Sequence, residues 1–562
     1  MLYKQKIKNE IEKVLNGTNS NVQVEKPKLK EHGDIATNVA MVLAKELKKN
    51  PFEIANDIKA KIENLKGLIS KVEVAKPGFI NIVVDNLALA ESLIEVHSQK
   101  DKFGYALPKS KEKVLVEYVS ANPTGDLHIG HGRQAAIGDS LAKVLIADGY
   151  DVYKEFYIND YGEQMTRLKD DARIKYWELK ENKKSDKIDF EYQITIDKYV
   201  PLLVNEPDTT ADNIGEKLKE RILNDQKSLL GKCNVNFDNW FSETSLHTEG
   251  KAKNVLEKLK ESGFTYEHEG ALWFKAKEFK DTRDRVLIRS DGRPTYLLAD
   301  IAYHINKIER KNKKLITVWG ADHHGQEISL KGGLHALGYD DSCLEIVFVQ
   351  LVSLKKEGQE VKMSKRAGTV VNTEEVLNEV GSDAFRYFLI ESHPNNRMVF
   401  DLDLAKKQDK DNPVYYIQYA HARCCSIFRQ ITNPTGSSEE RNVSTVTEKE
   451  LSKWFEEYAK TPEIFMNLFA VNKEEYEATK TLILKILDFP EEISLSSKSR
   501  SPGRIGNYLK ELATDFHQFY TVCRVLSKDI KILKARLGLI QATKITIANG
   551  LKILGINAPE SM

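Results

Sequence analysis

The chain has 562 residues, 41% of them hydrophobic, so it exceeds what one ordinary core encloses and is apolar enough to fold throughout; three or four domains are expected. Its 84 basic and 83 acidic side chains leave a formal charge of +1, which neither supports nor excludes a nucleic-acid partner, because such binding depends on local patches. No stretch approaches the roughly 20 apolar residues that cross a membrane. The opening MLYKQKIKNEIEKVL has no uninterrupted apolar core of the secretory kind, and the five cysteines (Cys233, Cys343, Cys424, Cys425, Cys523) contain no C-x-x-C pair. Neither a zinc knuckle nor a disulfide framework is indicated, and a cytoplasmic location is expected.

Residues 1–105 read as a small α+β module. It has an opening helix, a second helix over 35–47, and short strands at 71–74 and 79–84 around Lys76-Pro77-Gly78. From Lys113 the pattern becomes VLVEYVS, then the turn-rich ANPTGDLHIGHG, then RQAAIGDSLAKVLIADGY: strand, loop, amphipathic helix. That is how a Rossmann-type parallel sheet begins. It is expected to occupy residues 106–405, with a Lys-, Glu- and Asp-rich insertion at about 164–280. After the insertion the sheet resumes with RVLIRS, LITVWGADHHGQ and EIVFVQLVSL, and a helix starts near Gln326. Residues 406–562 show helical spacing almost throughout, as in YYIQYAHARCCSIFRQI, and form an all-helical domain. The polar links TNPTGSSEERN and SLSSKSRSPGR read as loops between helices.

Two motifs carry chemistry. In a parallel sheet, ligands bind beyond the carboxyl ends of the strands, which is where VLVEYVS delivers His128-Ile129-Gly130-His131. His128 and His131 lie three residues apart at a helix start, where unpaired amides and the dipole favour phosphate. Gly130 and Gly132 remove side chains where a triphosphate or adenine would approach the backbone, so the site suits ATP. Farther on, Lys362-Met363-Ser364-Lys365 lies between Gly358 and Gly368 in a cationic loop able to close on a triphosphate. Either motif alone passes for a chance helix start or a solvated basic loop; together, in this order, they indicate adenylate-forming chemistry. His128 and His131 are expected to stabilise the α-phosphate, and Lys362 and Lys365 the leaving pyrophosphate. ATP is then a substrate, Mg2+ is expected with it, no organic prosthetic group is implied, and no carboxylate cluster identifies metal ligands.

The stretches EYVSANPTGDLHIGHGR, EFYINDYGEQ, SDGRPTYLLADIAYHINK, VWGADHHGQ and DNPVYYIQYAHAR resemble the arginyl-tRNA synthetases within the class I synthetases, over nearly the whole chain. The intact Lys362-Met363-Ser364-Lys365 is followed by Arg366, where Ser is common across the class. The resemblance implies ligation of arginine to its tRNA through an arginyl-adenylate. It also implies a pocket in which carboxylates meet a planar five-donor guanidinium. Glu117 and Asp300 fall on its positions, although either alone also reads as a solvated or capping carboxylate. Tyr296 would lie against the guanidinium, while Asn122 and His128 would hold the amino and carboxylate ends.

The resemblance places the loop with Asp322, His323, His324 and Gln326 beside both substrates. His324 is favoured as an ATP contact, and metal binding there is the lesser reading, because adjacent histidines diverge. Residues 1–105 resemble the module that grips the tRNA elbow, and 406–562 the anticodon-binding domain, where Tyr415, Tyr419 and Arg423 are candidate RNA contacts and Tyr416 is a further aromatic. A monomer with no membrane partner is expected. Competing readings are a small-substrate nucleotidyltransferase, which needs no helical C-terminal domain, and a non-catalytic tRNA-binding paralogue, which has no use for pyrophosphate-handling lysines.

Overall fold

The computed structural model describes residues 2–15, 22–27, 29–109, 113–182, 192–361, 371–433 and 446–562. In the N-terminal module, strands β1 (Ile35–Thr37), β2 (Ile69–Ala75) and β3 (Phe79–Val84) form an antiparallel sheet with β3 in the middle. Helices Tyr3–Val14, Val39–Leu47, Pro51–Ile62 and Asn86–Gln99 belong to the same module. The expected helix over 35–47 therefore begins only at Val39. Ile35 and Thr37 are buried either side of a less buried Ala36, an alternation that suits a strand, and three residues are too few for either period to declare itself. The helix at Pro51 was signalled locally. Asn50 accepts from the Phe52 amide at 2.9 Å, and proline occupies the first turn, where its missing N–H costs nothing.

The central sheet has the order β11–β10–β4–β5–β6, all parallel, with β4 at Lys113–Glu117, β5 at Asp151–Ile158, β6 at Asn239–Ser242, β10 at Asn312–Gly320 and β11 at Leu344–Val349. The chain moves outward from β4 to β5 and β6, then returns to the other side of β4 as β10. The order thus reverses between β4 and β10, and a crevice opens at their carboxyl ends. The VLV run of β4 is buried, as a central parallel strand covered on both faces requires.

Two expectations about this sheet need correction. Residues 239–242 lie inside the stretch read as an insertion, yet β6 extends the sheet beside β5 (Phe156 opposite Trp240). RVLIRS does not resume the sheet: β9 (Arg285–Ile288) pairs with β8 (Ala271–Phe274), which pairs with β7 (Thr265–His268), in a separate antiparallel sheet. A four-residue apolar run names no partner, because partnering is decided by chain distant in sequence. EIVFVQLVSL likewise divides. Leu344–Val349 ends the parallel sheet, while β12 (Val352–Lys356) joins β13 (Gln359–Val361) and β14 (Met398–Asp401). Five described α-helices, Glu163–Glu181, Gln193–Leu203, Ile214–Lys232, Glu243–Thr248 and Lys251–Glu261, fall in the expected insertion.

The C-terminal region consists of helices, beginning with Pro413–Thr432, which Asn412 caps by accepting from the Val414 amide at 3.1 Å. The other described helices are Glu448–Tyr458, Glu463–Met466, Lys473–Leu487, Phe489–Ser499, Gly503–Val522 and Ile530–Leu554. Of the two polar links, 434–445 fall outside the described residues, and the second is helical up to Ser499. The N-terminal module docks on these helices through Lys480–Asp34 (2.8 Å) and Tyr476 donating to Asn86 (3.0 Å).

Candidate active site

At the start of helix Ile129–Ala147 the two histidines cap the helix reciprocally. The Gly130 amide donates to His128 Nδ1 at 3.1 Å, and the His128 amide donates to His131 Nδ1 at 3.3 Å. Their rings stack with centroids 3.8 Å apart. With each Nδ1 accepting, the neutral imidazoles carry their protons on Nε2. A Cβ on Gly130 would stand 2.9 Å from the His128 ring, so glycine here lets the imidazole fold over the first turn. Gly132 is buried, and a Cβ there would meet Phe385 at 2.9 Å; helix packing accounts for its missing side chain, rather than the approach of a ligand. One turn on, buried Arg133 donates to the carbonyls of Gln350 and Asn396, both at 2.8 Å, and fastens the helix to the neighbouring loops.

Lys362, Met363, Ser364 and Lys365 lie outside the described residues. Their flanks are described. Strand β13 ends at Val361, and beyond the loop the Ile129 amide donates to the Val371 carbonyl (3.1 Å), while the Thr373 amide donates to the Leu127 carbonyl (2.9 Å). Backbone bonds thus tie the chain that follows the second motif to the first. His324 follows β10, exposed, with its ring stacked on Phe348 of β11 at 3.6 Å. Gln134 spans the switch point: with its amide nitrogen toward the carbonyl, it donates to Val119 O (3.1 Å) and accepts from Gly320 N (3.2 Å).

Glu117 ends β4, and the next residues turn sharply. Val119 (φ 71°) and Ser120 (φ 46°) both adopt left-handed backbone, which a β-branched valine tolerates poorly. The turn aims Ser120 Oγ back at Glu117 Oε1 (2.7 Å). The other oxygen, Oε2, accepts from the buried Lys307 ammonium at 2.5 Å, so Glu117 already has a cationic partner. Asn122 donates to Gln164 (2.5 Å), and Gln226 donates to the carbonyls of Asn122 and Gly125 (3.3 and 3.0 Å), so the inserted helices grip this loop.

Tyr296 opens helix Tyr296–Glu309, is 55% exposed, and lines a cleft of about 810 Å3 with Asp160, Glu163, Gln164, Glu243 and Arg293. Asp300, one turn later, has no hydrogen-bond partner for its carboxylate among the described residues. Burial, reinforced by the nearby carboxylates of Glu243 and Glu117 and opposed by Lys307, pushes its carboxyl up to about 8.

Sequence reasoning missed three groups here. Glu243, just past β6, is buried with Oε2 unpartnered among the described residues. Tyr157, at the end of β5, is buried with its hydroxyl in the same state. The third is Lys307. Glu243 lay in the stretch read as an insertion, and the short aromatic run NWFS before it was the available signal. Glu243 Oε1 lies 3.7 Å from His247 Nε2, and Arg289 and Arg293 line the same cleft, while neither Asp300 nor Glu243 has a Lys or Arg hydrogen-bonded to it among the described residues. Tyr415, Tyr419 and Arg423 lie elsewhere, on helix Pro413–Thr432. The two tyrosine rings are parallel, 6.4 Å apart, and the Arg423 guanidinium lies 5.0 Å from Tyr419 and 4.9 Å from Tyr520. Tyr416 instead meets His517 at 4.9 Å.

Three family models match the chain: an arginyl tRNA synthetase N terminal domain over residues 1–84, a catalytic domain of class I (R) tRNA synthetases over 92–420, and a DALR anticodon binding domain over 417–562. The chain is 42% identical over 557 residues to an arginine-tRNA ligase of Staphylococcus epidermidis, covering 96% of this chain and 95% of that one. An arginine-tRNA ligase of Staphylococcus aureus is 42% identical over 550 residues, with the same coverage. Among solved structures, arginyl-tRNA synthetase from Thermus thermophilus superposes with a TM-score of 0.75 at 22% identity, covering 100% of both chains. Matches that run from the N-terminal module through the crevice to the terminal helices leave one assignment: the chain belongs to the arginyl-tRNA synthetases.

Proposed function

We propose that the protein ligates arginine to its tRNA in two steps, and that the carboxylates of Asp300 and Glu243, to which no Lys or Arg is hydrogen-bonded among the described residues, are what select arginine. In the first step an arginine carboxylate oxygen attacks the α-phosphorus of ATP, the bond to the β-phosphate breaks, and pyrophosphate leaves. The Nε2–H groups of His128 and His131, fixed by the capping bonds, donate where charge gathers on the α-phosphate. Lys362 and Lys365 neutralise the departing pyrophosphate. In the second step a hydroxyl of the terminal ribose of the tRNA attacks the arginyl carbonyl carbon and AMP leaves.

Selection follows from charge and shape. The guanidinium donors face Asp300 and Glu243, Tyr296 lies alongside, and Asn122 holds the amino end. A lysine ammonium cannot span the same planar set of acceptors. Mg2+ travels with ATP and neutralises the triphosphate; among the described residues no group of three His, Cys, Asp or Glu side chains is placed to hold a metal. His324, on its Phe348 platform, is proposed as an ATP contact.

The same reading assigns residues 1–105 to the tRNA elbow, 106–405 to catalysis and 406–562 to the anticodon. The half-buried ladder Tyr415–Tyr419–Arg423 supports it, because rings and a guanidinium plane at this spacing accept splayed bases. A cytoplasmic monomer completes the proposal; among the described residues no helix is long and apolar enough to cross a membrane. Charging assays with labelled amino acids test the function. Arginine is expected to be esterified to arginine-accepting tRNA alone, and charging with another amino acid in its place contradicts the assignment.

A further inference from the structure

Lys307 is 0% exposed, and its ammonium uses all three donors. Nζ donates to Glu117 Oε2 at 2.5 Å, to His304 Nε2 at 3.3 Å and to Thr317 Oγ1 at 3.5 Å, and lies 4.1 Å from the Tyr303 ring. His304 must be neutral to accept this contact. Burial, with Lys307 beside it, drives its pKa well below the ordinary imidazole value. Its remaining proton sits on Nδ1, which donates to the Asp300 backbone carbonyl at 2.8 Å. An unbroken chain of contacts therefore runs from the Glu117 carboxylate through Lys307 and His304 to the backbone of Asp300.

We infer that Lys307 is a positioning residue for arginine selection: its buried ammonium locks and neutralises Glu117, so that Asp300 and Glu243 remain as the carboxylates with no Lys or Arg hydrogen-bonded to them among the described residues, Glu243 meeting His247 at 3.7 Å. The inference rests on reading this crevice as the arginine site. It explains why a pocket for one guanidinium contains three carboxylates. Without Lys307, Glu117 would lose its hydrogen-bonded ammonium and its charge would add to those of Asp300 and Glu243, and the cheapest response would be to hold protons and reject the substrate. The groups facing the cluster are Tyr157 and Glu155 on β5, Glu243 and His247 beyond β6, with His247 Nε2 3.7 Å from Glu243 Oε1, Tyr303, His304 and Lys307 on the helix of Asp300, and Arg289 and Arg293 across the cleft. Glu155 is occupied by Arg310 at 2.6 Å and by the Tyr303 hydroxyl at 2.8 Å, which leaves Lys307 as the cation hydrogen-bonded to Glu117. Thr317 also donates to Glu117 at 3.4 Å, a contact that survives loss of the lysine but carries no charge.

The test uses the full-length protein with tRNA, following arginine-dependent pyrophosphate exchange from neutral to mildly alkaline pH. Removing a cation in contact with a carboxylate raises the carboxyl by about one to three units. In Lys307→Met the pH at which kcat/KM for arginine reaches its plateau is therefore expected to move up by at least about one unit. KM at neutral pH is expected to rise about tenfold or more, while kcat at saturating arginine changes far less. Lys307→Arg keeps the charge and is expected to keep the wild-type pH limb. The double variant Lys307→Met/Glu117→Gln removes both buried charges together and should bring the limb back toward wild type. It also carries the test if the single variant does not fold.

A folded Lys307→Met with an unmoved limb and a loss confined to kcat overturns the inference, as does a double variant displaced by a unit or more from wild type. Failure of the pocket reading is distinguishable: wild-type protein would then exchange pyrophosphate on another amino acid and not on arginine.

Discussion

Arg386 and the Asp300 pocket lie in the same catalytic region and pose the same problem, a planar cation among buried acceptors. Arg386 is 0% exposed and every nitrogen donates: Nε to the Leu554 carbonyl at 2.8 Å, one terminal nitrogen to the Cys233 and Asn234 carbonyls at 3.0 and 3.1 Å, the other to Asp139 at 2.7 Å and Ser140 at 3.0 Å. It joins the histidine-bearing helix, the inserted helices and the last helix of the chain. In the Asp300 pocket the acceptors are present, but among the described residues no guanidinium is hydrogen-bonded to Asp300 or Glu243. A finished site of this kind contributes stability; an unfinished one costs stability until substrate completes it.

Breaking the finished site should have the largest effect. Arg386→Met leaves Asp139 with Lys143 alone at 2.7 Å, strips the Cys233 and Asn234 carbonyls of this donor and leaves Leu554 O only the Ser140 hydroxyl at 3.3 Å, at a cost of about 3–5 kcal/mol in denaturant unfolding. A loss under about 1 kcal/mol would mean that the three regions are held by something else. Next comes the histidine pair: His131→Ala should lower kcat for adenylate formation by about 10²–10³ while arginine KM stays within about threefold. A change in KM alone would reassign His131 to binding.

Asp300→Asn sharpens the contrast, because its two effects have opposite signs. Arginine binding should weaken by about 1.5–3 kcal/mol, read as KM, whereas unfolding stability without arginine should stay level or rise. The sign follows from the raised carboxyl. Near 8 when folded and about 3.9 when unfolded, Asp300 holds its proton more tightly in the native state, so its contribution to stability falls as pH climbs between about 4 and 8. Asp300→Asn should flatten that slope, seen in unfolding midpoints across pH. Arginine prefers the ionised form, so its affinity should improve over the upper part of the same window as a proton is released. The smallest effect is expected at Lys198, whose exposed pair with Asp126 (2.7 Å) bears on the ATP loop from outside; Lys198→Ala should change stability and KM for ATP by under about 1 kcal/mol.

What could be read from the sequence divides along the same line. The histidine motif was legible because strand, loop and helix are contiguous, and the structure builds its reciprocal cap from residues within four positions of one another. Asp300 and Tyr296 were legible through helical spacing and resemblance. Lys307 and Glu243 were not. Each matters through a partner far along the chain, 190 residues away for Lys307 and Glu117, and no local period encodes such a meeting. Glu117 was legible as a carboxylate in an apolar strand, but its existing cation was not. The small sheet holding RVLI failed for the same reason, since four apolar residues do not say which strand they join.

Pyrophosphate exchange with arginine, lysine and citrulline, in the presence of tRNA and Mg2+, tests the central claim most directly. Citrulline has the shape of arginine without its charge, and lysine the charge without the fork. The account predicts exchange with arginine and losses of at least about 100-fold for both others. Exchange with citrulline at a rate comparable to arginine would contradict it, because a pocket of uncommitted carboxylates cannot accept a neutral urea group in place of its missing cation.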